Sequence, residues 1–219
     1  MPLSQEEGRV IGSLIEKQLT TPQQYPLTSN ALLLACNQSS NRDPVVEFDE
    51  RTVDNALASL RAAGLMRFVH PSHGRSVIRY QHLLGEHLDL TDQQLALLAV
   101  LLLRGPQTGA ELRSRTERMC EFEGIAHVDG ELERLSRLPE PLVALLPRRP
   151  GQKEERWAQL LADGSEGVPA PALAGVVGGS TRADLAIEVA ELRGEVAELR
   201  GEVAELHDQL DTLRRELEG

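Results

Sequence analysis

Leu3-Ser4-Gln5-Glu6-Glu7 and Leu90-Thr91-Asp92-Gln93-Gln94 are one helix start written twice. Each has a leucine, then a hydroxyl residue able to cap a helix, then Glu or Gln three positions beyond the cap. That is the capping box, in which two side chains satisfy amides that a new helix leaves open. The likeness continues down the chain. Val10, Ile11, Leu14 and Ile15 correspond to Leu97, Leu98, Leu101 and Leu102. Val53-Asp54-x-x-Leu57-x-x-Leu60 corresponds to Val128-Asp129-x-x-Leu132-x-x-Leu135. Each copy closes on Arg-aromatic-x-x-Leu, as Arg79-Tyr80 to Leu83 and Arg156-Trp157 to Leu160. A repeat of this length is one supersecondary unit used twice.

Within the first unit, Ser4 starts a helix running to about Leu19 with an apolar stripe at helical spacing, stopped at Thr20-Thr21-Pro22. Thr28 opens a short second helix, Ala31 to Cys36. A polar loop, Asn37 to Pro44, leads to Val45-Val46-Glu47-Phe48, which reads as a short strand. Asp49 caps a third helix and Gly64 stops it. Two apolar runs, Leu65 to Val69 and Ser76 to Gln81, flank Pro71-Ser72-His73-Gly74 and read as a β-hairpin. The second unit repeats this with a shorter middle. Thr108 and Glu111 form another capping box, and the hairpin runs through Leu142–Leu146 and Glu155–Leu160 around Pro150-Gly151. Three helices closed by a hairpin is the winged-helix pattern. The expected fold is mainly α with small β-hairpins: winged-helix domains at 1–85 and 86–162, a linker at 163–183 and a coiled-coil helix at 184–219.

Composition narrows the function. Apolar residues make up 41% of the 219 but aromatics only 3%, so the cores must be aliphatic. Leu95 to Leu103 is a nine-residue apolar run, about half the length a membrane span needs. The start of the chain carries no basic, hydrophobic leader, and Cys36 and Cys120 are isolated, so a reducing, cytoplasmic setting is expected. The net charge of −11 is uneven. Residues 1–85 carry 8 basic and 8 acidic side chains, 86–165 carry 10 and 14, and 166–219 carry 5 and 12. Most of the negative charge therefore lies in the tail, and the neutral first unit neither invites nor forbids nucleic acid.

In that tail, Leu185, Val189, Leu192, Val196, Leu199, Val203, Leu206, Leu210, Leu213 and Leu217 alternate in steps of four and three, an unbroken heptad seam. Valine at three successive a positions with leucine at d favours two strands. Glu188 and Glu195 at g would meet Arg193 and Arg200 at e of a parallel partner. A parallel homodimer is expected, held by Val189, Leu192, Val196, Leu199, Val203, Leu206, Leu210 and Leu213.

The stretch Gly12-Ser13-Leu14-Ile15-Glu16-Lys17-Gln18-Leu19-Thr20-Thr21-Pro22-Gln23-Gln24-Tyr25-Pro26-Leu27-Thr28, with Ala35-Cys36-Asn37-Gln38 and Asn41-Arg42-Asp43-Pro44, closely resembles the YceH family, also called UPF0502 or DUF480. Leu101-Leu102-Leu103-Arg104-Gly105-Pro106-Gln107-Thr108 and Glu111-Leu112-Arg113-Ser114-Arg115 extend the resemblance into the second unit. It implies a bacterial cytoplasmic protein with two winged-helix domains, a helical C-terminus and no enzyme activity. Ser29 and Ser39 depart from the pattern, where an apolar residue and a lysine would stand; without the lysine, the polar loop has less to grip a phosphate.

Candidate sites follow from charge and polarity. Both third helices present mixed or acidic faces: Asp49, Glu50, Arg51, Asp54 and Arg61 in one, Asp129, Glu131, Glu133, Arg134 and Arg137 in the other. Phosphate neutralisation needs clustered cations, so the hairpins are the better nucleic-acid candidates, with Arg67, Arg75 and Arg79 in the first and Arg148, Arg149, Lys153 and Arg156 in the second. Such residues also occur as solvated strand arginines. Asn37, Gln38, Asn41 and Arg42 form a partner-binding or small-ligand loop, or else side chains that fix their own turn. No catalytic set, metal set or cofactor motif is expected. Cys36 with His70, His73 or His82 lacks any nucleophile–base spacing, and Cys36 reads as core. The expected function is a non-enzymatic, DNA-associated regulator acting as a dimer. The alternative is an adaptor whose winged helices bind protein partners. No membrane partner is expected.

Overall fold

Ser4 caps α1 (Gln5–Thr20) as its sequence requires: its hydroxyl accepts from the Glu7 amide and the Glu7 carboxylate accepts from the Ser4 amide. In the computed structural model, which describes residues 3–70, 77–148 and 154–163, the same box recurs at Thr91 and at Thr108. A 3-10 turn at Pro22–Gln24 leads into β1 (Leu27–Thr28), and Thr28 caps α2 (Ser29–Cys36). Asp49 caps α3 (Glu50–Ala62). Gly64, with φ +72°, ends it: its amide donates to Arg61 O and the Leu65 amide to Leu60 O. Those two bonds satisfy carbonyls the last turn would leave open, and the left-handed backbone suits glycine. Strands β2 (Met66–Val69) and β3 (Arg79–His82) form the first hairpin.

The second copy has the same order. After a short α4 (Leu84–Leu88), which spans the expected boundary between units, come α5 (Asp92–Arg104), α6 (Gly109–Thr116) and α7 (Ile125–Ser136). The hairpin of β4 (Val143–Leu146) and β5 (Arg156–Gln159) closes it. The described fold is thus helices with two small antiparallel sheets, ordered β1-β3-β2 and β4-β5. The linker and the heptad residues from Val189 to Leu213 lie outside the described residues.

One expected strand is absent. Val45–Phe48 pairs with no strand. A side chain replaces the ladder: Asn37 Nδ2 donates to Phe48 O at 2.8 Å, and the Phe48 amide donates to Asn37 Oδ1 at 2.9 Å. The third strand of the first sheet is instead β1, with Leu27 opposite Tyr80.

Helix α5 explains the apolar run Leu95 to Leu103. It is buried all round because it serves two cores. Leu95 and Ala99 pack with α1, α2 and α3 residues such as Ile11, Leu32 and Leu57. Leu97, Leu98 and Leu101 pack with Leu112, Val128, Leu132 and Trp157. An element buried on every side needs no polar stripe. Two glycines let α1 approach it. A Cβ on Gly12 would sit 3.0 Å from Leu103 Cγ, and one on Gly8 would sit 3.4 Å from Leu102 Cδ2 and 2.8 Å from Ala162 Cβ, beyond α5. Leu3 closes the described residues into a single compact unit, bridging Ala162 in parallel, with its amide donating to Leu161 O at 2.7 Å.

Candidate functional site

The polar loop after α2 is built around Arg42, which is buried. Its Nη1 and Nη2 donate to the two oxygens of Glu16 at 3.3 and 2.7 Å. Its Nε and Nη2 donate to Ala35 O, and its Nη1 to Asn41 O. A guanidinium has five N–H donors, so Arg42 has none left for a ligand. Burial pushes the Glu16 carboxyl up, but the Arg42 hydrogen bonds and charge outweigh it and the carboxyl titrates below its usual range. Gln38 Oε1 accepts from Lys17 Nζ at 3.4 Å. Asn41 takes the left-handed backbone, φ 58°, which Asn tolerates, and its Oδ1 accepts from Arg104 Nη1 at 2.9 Å. Asn37, Gln38, Asn41 and Arg42 therefore all bond within the chain.

Beside this loop, Arg9 of α1 is buried and donates Nη2 to Pro44 O. Its Nη1 has no hydrogen-bond partner among the described residues. Burial, then the neighbouring Arg42 charge, lowers its pKa. Arg9, Asp43, Phe48, Leu102, Pro106 and Gln159 line a cleft of about 540 Å³.

Across the loop, Arg104 from the end of α5, Arg115 from the last turn of α6 and Arg118 just beyond it line one gap with Asn41 and Glu16. Val100, Leu103 and Met119 form its apolar wall. Burial, then repulsion from Arg115, lowers the pKa of Arg104. Sequence reading did not single out this convergence. Only the packing of α5 against α6 brings the three arginines together.

The hairpin cations divide. Arg79 Nη1 donates to Pro26 O at 2.8 Å. Arg156, at the corresponding place, donates to Pro106 O at 3.0 Å and pairs with Glu111 Oε2 at 2.8 Å. In both copies this arginine ties the second hairpin strand to the segment before the second helix. There Gln107 exchanges two backbone hydrogen bonds with Trp157, as a single bridge in place of β1. Arg67 is exposed and reaches Gln81 Oε1 at 3.3 Å, with Glu86 at 3.9 Å. Arg148 is exposed. Arg75, Arg149 and Lys153 lie outside the described residues.

The outer face of α3 carries Glu50, Arg51, Asp54 and Arg61, all exposed, as expected. On α7 one expectation fails: Glu131 is buried. Gln94 Nε2 of α5 donates to its Oε2 at 3.0 Å, Arg134 bonds its other oxygen, and His127 lies 3.8 Å away. A carboxylate on the packed side of the helix survives there because it is paired. Cys36 is fully buried, and burial pushes its thiol up to about 11. Among the described residues no His, Cys, Asp and Glu side chains group so as to hold a metal ion, and no helix is long and apolar enough to cross a membrane.

Comparison with known proteins agrees with the resemblance in the motifs. The family described as "Protein of unknown function, DUF480" matches residues 3–152. A UPF0502 protein of Koribacter versatilis is 50% identical over 159 residues, 73% of each chain. One from Solibacter usitatus is 45% identical over 195 residues, 87% of this chain and 93% of the relative. One from Geobacter metallireducens is 51% identical over 160 residues, 73% and 72%. The chain belongs to the UPF0502 (DUF480) family.

Proposed function

We propose that this UPF0502 chain is a non-enzymatic, DNA-associated regulator built from two winged-helix units and dimerised by its C-terminal heptads. The observation that carries the reading is the twofold occurrence of three helices plus a hairpin, with a third helix packed on one face and open on the other. Val53, Ala56, Leu57 and Leu60 face the core of the first copy, while Arg51, Asp54 and Arg61 face outward. That is how a helix-turn-helix domain presents its third helix to a groove. The mixed charge of that face leaves phosphate contacts to cations elsewhere, such as Arg67 and Arg148. A cytoplasmic location fits this reading.

A protein-adaptor reading has its own support. Leu34 on α2 is 63% exposed and Ile125 at the start of α7 is 45% exposed. Exposed apolar side chains suit a protein partner better than a phosphate backbone. Titration of the full chain with labelled random duplex DNA at low and moderate salt separates the two. Binding that weakens with salt supports DNA association. No binding at low salt, with a protein partner recovered by pulldown, supports the adaptor.

A further inference from the structure

We propose that Arg104, Arg115 and Arg118 form a phosphate-binding site at the junction of the two repeats, with Asn41 holding Arg104 in place. The gap they line measures about 10 Å³, which is room for one water-sized group. One phosphate oxygen fits there, with the remaining oxygens at the mouth. Guanidinium forks match phosphate oxygens in pairs, which makes arginine the suited cation.

The local charge balance supports an anion. The carboxylate in the lining, Glu16, is already held by both nitrogens of buried Arg42. Glu111 nearby is engaged by Arg156 at 2.8 Å and stands 3.9 Å from Arg115. Asp43 also faces Arg104, at longer range. Among the described residues, Arg104 and Arg118 have no ion-pair partner. Cations at helix C-termini complement the helix dipole, which accounts for one arginine at each end. It does not account for Arg118, beyond the end of α6, lining the same gap as the other two.

The phosphate can belong to a nucleic-acid backbone or to a free phosphate compound, and the test distinguishes them. The full chain is titrated with labelled random duplex DNA and, separately, with inorganic pyrophosphate. Wild type is compared with R115Q/R118Q and with R113Q, a change at an exposed residue outside the gap. Expected is an affinity loss of about tenfold or more in R115Q/R118Q, with about two phosphate contacts removed from the salt dependence of DNA binding. R113Q stays within about twofold. The melting temperature of R118Q alone is unchanged, because its exposed side chain has no ion-pair partner among the described residues. A role confined to the helix ends would do the reverse, lowering melting temperature and leaving affinity alone. If pyrophosphate binds with this variant pattern and duplex does not, the site stands and the DNA reading falls. If duplex binds wild type and R115Q/R118Q equally, the site falls and the DNA reading stands. If wild type binds neither probe, the site is also overturned.

Discussion

Arg42 Nη2 lies 2.7 Å from Glu16 Oε2, with side-chain exposures of 0% and 4%. This pair joins α1 to the polar loop after α2, and their pairing offsets the cost of burying both charges. Removing Glu16 leaves the Arg42 charge buried without its carboxylate, worth about 3–5 kcal/mol, while removing Arg42 strands the Ala35 and Asn41 carbonyls and leaves Glu16 to Lys17 at 3.5 Å. Arg42→Ala or Glu16→Ala should therefore lower the denaturation midpoint severely. A double change to apolar residues of similar volume should lose much less. Chemical denaturation of the three variants checks this, and equal losses in all three would speak against the pair as the cause.

His82 gives a pH dependence of defined direction. It is buried, both ring nitrogens lack partners among the described residues, and burial lowers its pKa from 6.5 to about 4. The folded state therefore disfavours the protonated ring. Its contribution is full above pH 6.5, is lost as pH falls from there to about 4, and stays lost below. The total is about 3 kcal/mol. The unfolding free energy of wild type should fall by about 3 kcal/mol relative to that of His82→Leu as pH drops from 6.5 to about 4. Parallel curves would contradict this.

Glycine at position 8 is required by packing. A Cβ there meets Ala162 Cβ at 2.8 Å, and alanine has no flexible end to swing aside. Gly8→Ala should destabilise by about 1–3 kcal/mol, read as a lower melting temperature. An unchanged melting temperature would show that α1 and the chain near Ala162 move apart freely.

Arg79 and Arg156 are expected to act on stability more than on ligand binding. Each bonds a proline carbonyl, at 2.8 and 3.0 Å, behind its own hairpin. Arg79→Ala should cost about 1–3 kcal/mol by stranding the Pro26 carbonyl. In a DNA titration it should change affinity less than Arg148→Ala, whose side chain is exposed. The opposite ranking would return Arg79 to the set of nucleic-acid contacts.

What could be read from the chain alone was what local chemistry decides. Ser4, Thr91 and Thr108 cap helices because the cap and its partner lie three residues apart, and Gly64 stops α3 through its own backbone. What escaped depends on contacts far along the chain. Val45–Phe48 has strand-like composition, but its partner is the Asn37 side chain. Glu131 looks solvent-facing in its helix until Gln94 of α5 is packed beside it. Arg104 and Arg115 become neighbours only when the second copy folds. The resemblance of Arg79-Tyr80 to Arg156-Trp157 was visible in the sequence, while its cause, a shared tie to a proline carbonyl, was not.

Fluorescence anisotropy of the full chain with random duplex DNA, over a range of salt from low to moderate, bears most directly on the regulator reading. Expected is binding at low salt that weakens steeply as salt rises, the mark of phosphate contacts. A flat trace at low salt, with the chain folded, would contradict it.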